Sequence, residues 1–371
     1  MPPLSSSPEL AASVPVDLGD RSYCIHVGPG LLERASELIP APAGARTFVI
    51  THPAIDRLHG ERLRRGLHPL ETETIHVPPG ERQKSLRRAA ALYDELLSRS
   101  ADRRSIVIAF GGGVIGDLAG FVAATYMRGV VYTQAPTTLL AQVDASVGGK
   151  VAVNHPRAKN LIGAFYQPTA VIADSDVLGT LSARDYRAGL AEVVKHAVIA
   201  DAALFAWLRA HAASLMRRDA HATAHIVRRS CEIKADVVRR DERETGLRAT
   251  LNFGHTVGHA LETEAGYRAL RHGEAVAIGM VAASRLAQAV GLLGKEACDE
   301  IERLLDLLRL PVRVLGVSAA ALMALMRADK KAAGGAPRFV LPRSIGAVEV
   351  SVEVPEHALR SVLVSLGAVE P

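Results

Sequence analysis

Ser105-Ile106-Val107-Ile108-Ala109-Phe110-Gly111-Gly112-Gly113-Val114-Ile115-Gly116-Asp117 is an apolar run that breaks into glycines and resumes with helical spacing. The run before the glycines reads as a buried strand, the glycines as a tight turn, and Val114 onward as a helix. Gly111 to Gly116 satisfies G-x-G-x-x-G in that strand–loop–helix setting. Such a loop aims backbone N–H groups and a helix N-terminus at one spot, where a pyrophosphate can sit. A plain strand-to-helix turn produces the same pattern. Two features depart from the usual dinucleotide fingerprint. The loop lies in mid-chain, and about 20 residues on, at Val130-Val131-Tyr132, there is no acidic residue for a ribose.

Working outward, Thr47-Phe48-Val49-Ile50-Thr51, Val130-Val131-Tyr132-Thr133-Gln134 and Ala170-Val171-Ile172-Ala173-Asp174 read as further strands, and Leu86 to Ser98 as a helix. This βα alternation predicts a parallel sheet with helices on both faces. From about Ser182, which reads as a helix cap, the pattern changes to long alanine- and leucine-rich helices. Arg338-Phe339-Val340-Leu341-Pro342 and Ala347-Val348-Glu349-Val350 read as a small hairpin. The predicted fold class is an α/β nucleotide-binding domain followed by a mostly α-helical domain. The expected division is a flexible tail at 1–18, the α/β domain at 19–179 and a metal- and substrate-binding domain at 180–371. The cleft between the two halves is the expected active site.

At 371 residues two domains are the better prior. Hydrophobic residues make up 49% and charged residues 22%, ordinary for a globular protein. Aromatics are only 4%, which argues against a base-stacking platform for nucleic acid. The net charge of +5 comes without a like-charge run, so it reads as a solvated surface or a basic cleft for an anionic small molecule. Cys24, Cys231 and Cys298 are far apart and odd in number, so no disulfide framework is expected. Met1 to Val16 lacks the pattern of a signal peptide, and no stretch is apolar enough to span a membrane. A cytoplasmic enzyme is the expectation.

The metal-binding chemistry concentrates in two places. Glu192 lies in Gly189-Leu190-Ala191-Glu192-Val193-Val194-Lys195-His196; His255 and His259 lie in Leu251-Asn252-Phe253-Gly254-His255-Thr256-Val257-Gly258-His259, with Arg271-His272-Gly273-Glu274 beyond. One carboxylate, two imidazoles and an open position are the ligand set of a catalytic zinc. The four-residue spacing favours His255 and His259 as the histidine pair. His196, four residues after Glu192, reads more simply as a hydrogen-bonded helix histidine. Lys195 follows Glu192 by three residues and projects towards the same metal. Arg128, Lys150, Lys159, Lys234, Arg248, Lys330 and Lys331 are further cations set around these motifs.

Taken together, these motifs resemble the 3-dehydroquinate synthase family. The likeness is carried by Phe110 to Asp117, by Ala135-Pro136-Thr137-Thr138-Leu139-Leu140-Ala141-Gln142-Val143-Asp144-Ala145-Ser146-Val147-Gly148-Gly149-Lys150, and by Lys159-Asn160-Leu161-Ile162-Gly163-Ala164-Phe165. It runs from about residue 20 to about residue 350. The resemblance implies NAD at Gly111, Gly112, Gly113, Val114, Ile115, Gly116 and Asp117, helped by Gly80, Glu81 and Lys84, by Thr137 and Thr138, and by Lys150, Lys159 and Thr180. The family often has Asp where this chain has Pro79. It implies a divalent metal, zinc or cobalt, on Glu192, His255 and His272, with His259 near the substrate instead. It implies that Asp144, Lys150, Asn160, Lys195, Lys234, Arg248, Asn252, Arg128 and Lys331 hold or act on an anionic substrate. The implied reaction converts 3-deoxy-D-arabino-heptulosonate 7-phosphate to 3-dehydroquinate and phosphate in a homodimer. The alternatives are another sugar phosphate cyclase, of the aminodehydroquinate type, and a metal-dependent alcohol or glycerol dehydrogenase.

Overall fold

The computed structural model describes residues 11–266, 269–314, 316–330 and 337–370. They fall into two compact units. The first runs to Ser182 and includes Ala220–Arg243; the second holds Ala183–Asp219 and the residues from Glu244 on. The chain is therefore not cut once near Gly179. It leaves the first unit after Ser182 and returns to it for 24 residues.

The first unit is built on a seven-stranded sheet. Its strands are β1 (Ala12–Val16), β2 (Tyr23–Gly28), β3 (Arg46–Thr51), β4 (Glu71–His76), β5 (Ile106–Gly111), β6 (Val131–Pro136) and β9 (Ala170–Asp174). The order is β1-β2-β9-β6-β5-β3-β4, parallel throughout except for β1 against β2. β1 corrects the expected tail. Val14 and Val16 are buried and the strand pairs with β2 from Ala12 on; Met1 to Leu10 lie outside the described residues. Three short helices, α1 (Ala35–Leu38), α2 (Pro53–Ile55) and α3 (Glu61–Leu67), join the early strands. α4 (Leu86–Ser98) and α5 (Gly113–Thr125) flank β5, which is buried at every residue. β3 has β4 on one side and β5 on the other, so strand order reverses between β3 and β5. In open α/β sheets the crevice at the carboxyl ends of such strands is where ligands bind. Gly111 to Gly113 stands there.

Glycines set how closely α5 packs. A Cβ on Gly120 would lie 2.3 Å from Val151 Cγ1 and 2.8 Å from the Tyr132 hydroxyl, and one on Gly116 2.9 Å from Gln134 Oε1. The Tyr132 hydroxyl donates to the Gly116 carbonyl at 2.8 Å. Val151 belongs to an antiparallel hairpin, β7 (Lys150–His155) with β8 (Ala158–Phe165).

The second unit begins with α6 (Ala183–Ala200) and α7 (Ala202–Met216). The returning helix α8 (Ala220–Arg240) belongs to the first unit, where its Cys231 thiol donates to the Gln142 carbonyl at 3.3 Å. The second unit resumes with α9 (His255–Glu264), α10 (His272–Ala289), α11 (Lys295–Leu307) and α12 (Ala319–Lys330). It ends with β10 (Arg338–Ser344), β11 (Ala347–Glu353) and α13 (Glu356–Ser365). β10 and β11 form the expected hairpin. No helix among the described residues is long and apolar enough to cross a membrane.

α10 meets its neighbours backbone to backbone. A Cβ on Gly273 would lie 1.8 Å from the Ala188 carbonyl oxygen on α6. One on Gly279 would lie 1.9 Å from the Gly254 carbonyl oxygen, which precedes α9. Neither obstacle is a side chain that can swing aside. Gly279→Ala should therefore destabilise the protein by about 1–3 kcal/mol or more. Gly294→Ala, where nothing lies within 4 Å, should be nearly silent. Equal denaturation midpoints for the two variants would show that these helices separate without cost.

Candidate active site

The close approach of α6, α9 and α10 puts Glu192, His255 and His272 together. One ligand atom from each lies within 4.8 Å of the others. His255 and His272 are each the first residue of a helix, and Glu192 is fully buried on α6. His272 Nε2 is 3.5 Å and His255 Nε2 3.8 Å from Glu192 Oε1. The other ring nitrogens are spoken for. His255 Nδ1 faces the Phe253 carbonyl at 3.1 Å, and His272 Nδ1 faces Glu262 Oε2 at 3.4 Å. A carbonyl and a carboxylate only accept, so both Nδ1 atoms donate, and both Nε2 atoms turn to the shared space.

His259 does not join this group. Its ring stands edge-on to His255 at 5.3 Å, and it is exposed on α9. The four-residue spacing favours His259, whereas the residue that lies with His255 and Glu192 is His272, which arrives from another helix. His196 is buried and also outside the group. Glu262 was missed. It follows His255 by seven residues, two helical turns, and its signal was that spacing. Lys195 is buried, with its ammonium on Glu192 Oε2.

Burial pushes His255 down to about 3, and the nearby Lys195 adds to this against the pull of Glu192. Burial also acts against protonated His272, but hydrogen bonds to the Glu192 and Glu262 carboxylates outweigh it and raise the group to about 10. A neutral imidazole, a second imidazole that a cation can deprotonate and a carboxylate fit a divalent metal.

In the first unit the glycine loop stands beside Thr137 and Thr138. Thr137 N–H donates to the Gly111 carbonyl at 2.9 Å, and a Cβ on Gly112 would lie 3.1 Å from Thr138 Cγ2. Thr138 Oγ1 accepts from Ala141 N–H at 3.2 Å where the π-type turn Ala141–Ala145 begins. Val114 and Ile115 form the first turn of α5, with Ile115 buried. Lys84 is buried and contacts both Asp117 and Asn160. Burial pushes the Asp117 carboxyl up, and the Lys84 ammonium opposes the shift. Gly80 has φ 103°, and Glu81 accepts from Asn154 Nδ2 at 2.8 Å. Lys234 Nζ reaches Asp144 Oδ1 at 2.7 Å.

Other expected site residues lie apart from these contacts. Thr180 Oγ1 is hydrogen-bonded to His59 Nε2 at 2.8 Å. Lys150 and Lys159 are exposed on the hairpin, and exposed Arg128 sits in a left-handed turn with φ 70°. Arg248 is 1% exposed in the turn Leu247–Asn252, and Asn252 is exposed just before Phe253. Lys331 lies outside the described residues, as does the side chain of Lys330.

Residues 74–188 match the family model of the 3-dehydroquinate synthase N-terminal domain, and residues 189–332 that of its C-terminal domain. A 2-epi-5-epi-valiolone synthase from Streptomyces hygroscopicus, solved with NAD+ and Zn2+, superposes with a TM-score of 0.86 at 31% identity, over 94% of this chain and 98% of that one. The chain belongs to the dehydroquinate synthase family of sugar phosphate cyclases. A 2-deoxy-scyllo-inosose synthase, solved with carbaglucose-6-phosphate, NAD+ and Co2+, shares the fold at TM-score 0.84 and 24% identity, over 95% and 99% of the two chains. A maleylacetate reductase from Agrobacterium tumefaciens shares it at TM-score 0.67 and 16% identity, over 99% and 98%.

The Glu192, His255 and His272 group of this cyclase can be tested as a metal site in two ways. Glu262→Ala should weaken zinc binding by roughly 10–100-fold, with Glu262→Gln milder and His259→Ala near wild type. Competition with a chelator measures this; a wild-type affinity in Glu262→Ala would deny Glu262 its orienting role. The second concerns pH. From pH 6.5 down to about 3 the unfolded chain binds a proton at residue 255 that the native protein refuses, so stability falls as pH drops. From 6.5 up to about 10 the native protein keeps a proton at residue 272 that the unfolded chain has lost, so stability falls as pH rises. Metal-free His255→Asn should lose part of the acid limb of a melting-temperature profile, and His272→Asn part of the alkaline limb. Profiles parallel to wild type would contradict both assignments.

Proposed function

We propose that this cyclase is a 3-dehydroquinate synthase, converting 3-deoxy-D-arabino-heptulosonate 7-phosphate to 3-dehydroquinate and phosphate. The observation that carries the reading is a three-ligand metal group in a chain whose two halves match dehydroquinate synthase models. Glu192, His255 and His272 would hold zinc or cobalt; Gly111 to Asp117 with Thr137 and Thr138 would hold NAD. When bound, these groups supply polarisation of adjacent hydroxyls and a hydride acceptor that is restored at the end of the cycle.

The chain's own residues bind and neutralise. Phe253 O and Glu262 keep Nε2 of each histidine aimed inward. Lys195 compensates Glu192. Lys150 and Asn160 would take the substrate phosphate, and Lys234, Arg248 and Asn252 its carboxylate. Phosphate elimination would break the C–H bond beside the transient ketone and the C–O bond to phosphate, forming a C=C bond, and the phosphate itself is the base at hand for that proton.

The 31% identity to a valiolone synthase favours one rival, a cyclase whose substrate has no carboxylate. Against it stands the presence of Lys234, Arg248 and Asn252 together, the set that the family resemblance implies for a substrate carboxylate. Phosphate release from the heptulosonate without net NADH formation is the deciding assay. Net NADH would mark a dehydrogenase, and turnover only of a sugar phosphate without a carboxylate would mark the rival cyclase.

Losing an interaction with a desolvated charge costs about 2–5 kcal/mol, so Lys150→Ala and Arg248→Ala should each lower kcat/KM by roughly two orders of magnitude. With a substrate analogue lacking the carboxylate, Arg248→Ala should lose most of its effect and Lys150→Ala should keep it. Equal penalties on both compounds would mean that the two ends of the substrate are assigned wrongly.

A further inference from the structure

Lys84 is a cation at 4% exposure that reaches two elements at once. Its ammonium contacts the Asp117 carboxylate on α5 and the Asn160 side-chain oxygen on β8. Asn160 has φ 55°, a left-handed conformation that asparagine adopts more readily than most L residues and that its neighbours here brace. The hold is visible. Asn160 N–H donates to Asn154 Oδ1 at 2.9 Å, and Asn154 Nδ2 donates to Glu81 Oε1 at 2.8 Å. Asn154 N–H in turn donates to the Lys84 carbonyl at 2.8 Å. The contacts therefore close a ring between the Gly80–Lys84 segment and the β7–β8 hairpin, and the Lys84 ammonium ties the helix after the glycine loop to it.

We propose that Lys84 is a positioning residue that couples the glycine loop to the hairpin, so that a cofactor held at Gly111–Asp117 fixes Asn160 in its left-handed conformation. The proposal rests on reading that loop as the NAD site. It adds a second role to the direct contact with NAD that the family resemblance implies for Lys84, one set by the ammonium's contacts with Asp117 and Asn160. Among the described contacts the ammonium joins α5 to Asn160 directly. Without it the Asp117 carboxylate loses its ion-pair partner and the Asn160 amide oxygen a charged donor.

Hydrogen exchange of peptides covering residues 150–165 tests the link in wild type, Lys84→Met and Lys84→Arg, each with and without NAD. In the ligand-free protein, Lys84→Met should speed exchange in 158–165 by about tenfold, and Lys84→Arg should stay close to wild type. NAD should slow hairpin exchange in wild type but not in Lys84→Met. Wild-type exchange in ligand-free Lys84→Met, or equal protection by NAD in both proteins, overturns the proposal. If Lys84→Met folds poorly, Lys84→Met/Asp117→Asn removes both buried charges and should show the same loosened hairpin. A wild-type protein that binds no NAD by calorimetry refutes the cyclase reading instead, and the ligand-free comparison then decides the Lys84 link alone.

Discussion

The metal-ligand group depends on one steric fact: α10 touches α6 and the start of α9 with no side chain in between. Gly273 lies against the Ala188 carbonyl and Gly279 against the Gly254 carbonyl. Glu192 is one helical turn beyond Ala188, and His272 is the residue before Gly273. The contact that closes the helices is therefore the contact that aligns the ligands. Glu274 reinforces it by accepting from Arg271 N–H at 2.9 Å and pairing with Arg184 at 2.6 Å. Ordinary helix packing through side chains would hold the axes farther apart.

In the first unit the corresponding constraint is electrostatic. Lys84 and Lys234 are nearly buried, and each has a carboxylate of its own, Asp117 and Asp144. Burying the ammonium is tolerable because the pair is made within the unit. A substrate anion that reaches Lys234 must then share it with Asp144. Such sharing favours a ligand that brings its own hydrogen-bond donors for the displaced carboxylate, as a polyhydroxylated sugar acid does.

What could be read from sequence followed from periodicity. β5, α4 and the glycine loop are consecutive, and each carries its own apolar pattern. The destination of α8 could not be read, because its alanine-rich face resembles those of α6 and α7; only the partners of Cys231 and Lys234 tell which unit covers it. β1 escaped because Ala12–Val16 contains a proline and one side of its pairing is an edge, which dilutes the strand signal. The pairing of His255 with His272 lies across 17 residues and two helix starts, where spacing within one helix says nothing. The family resemblance supplied it, and the helix contacts explain it.

The two imidazoles of the site are pulled in opposite directions. Burial keeps His255 neutral, whereas His272 sits between two carboxylates that favour a positive charge. Glu192 divides its oxygens in the same sense: Oε2 meets Lys195 and Oε1 faces both histidines. With Oε2 engaged by the ammonium, the glutamate offers a cation one oxygen, not two. A divalent ion would be held there by the two Nε2 atoms and that oxygen, and would supply polarisation to hydroxyls of a bound sugar phosphate.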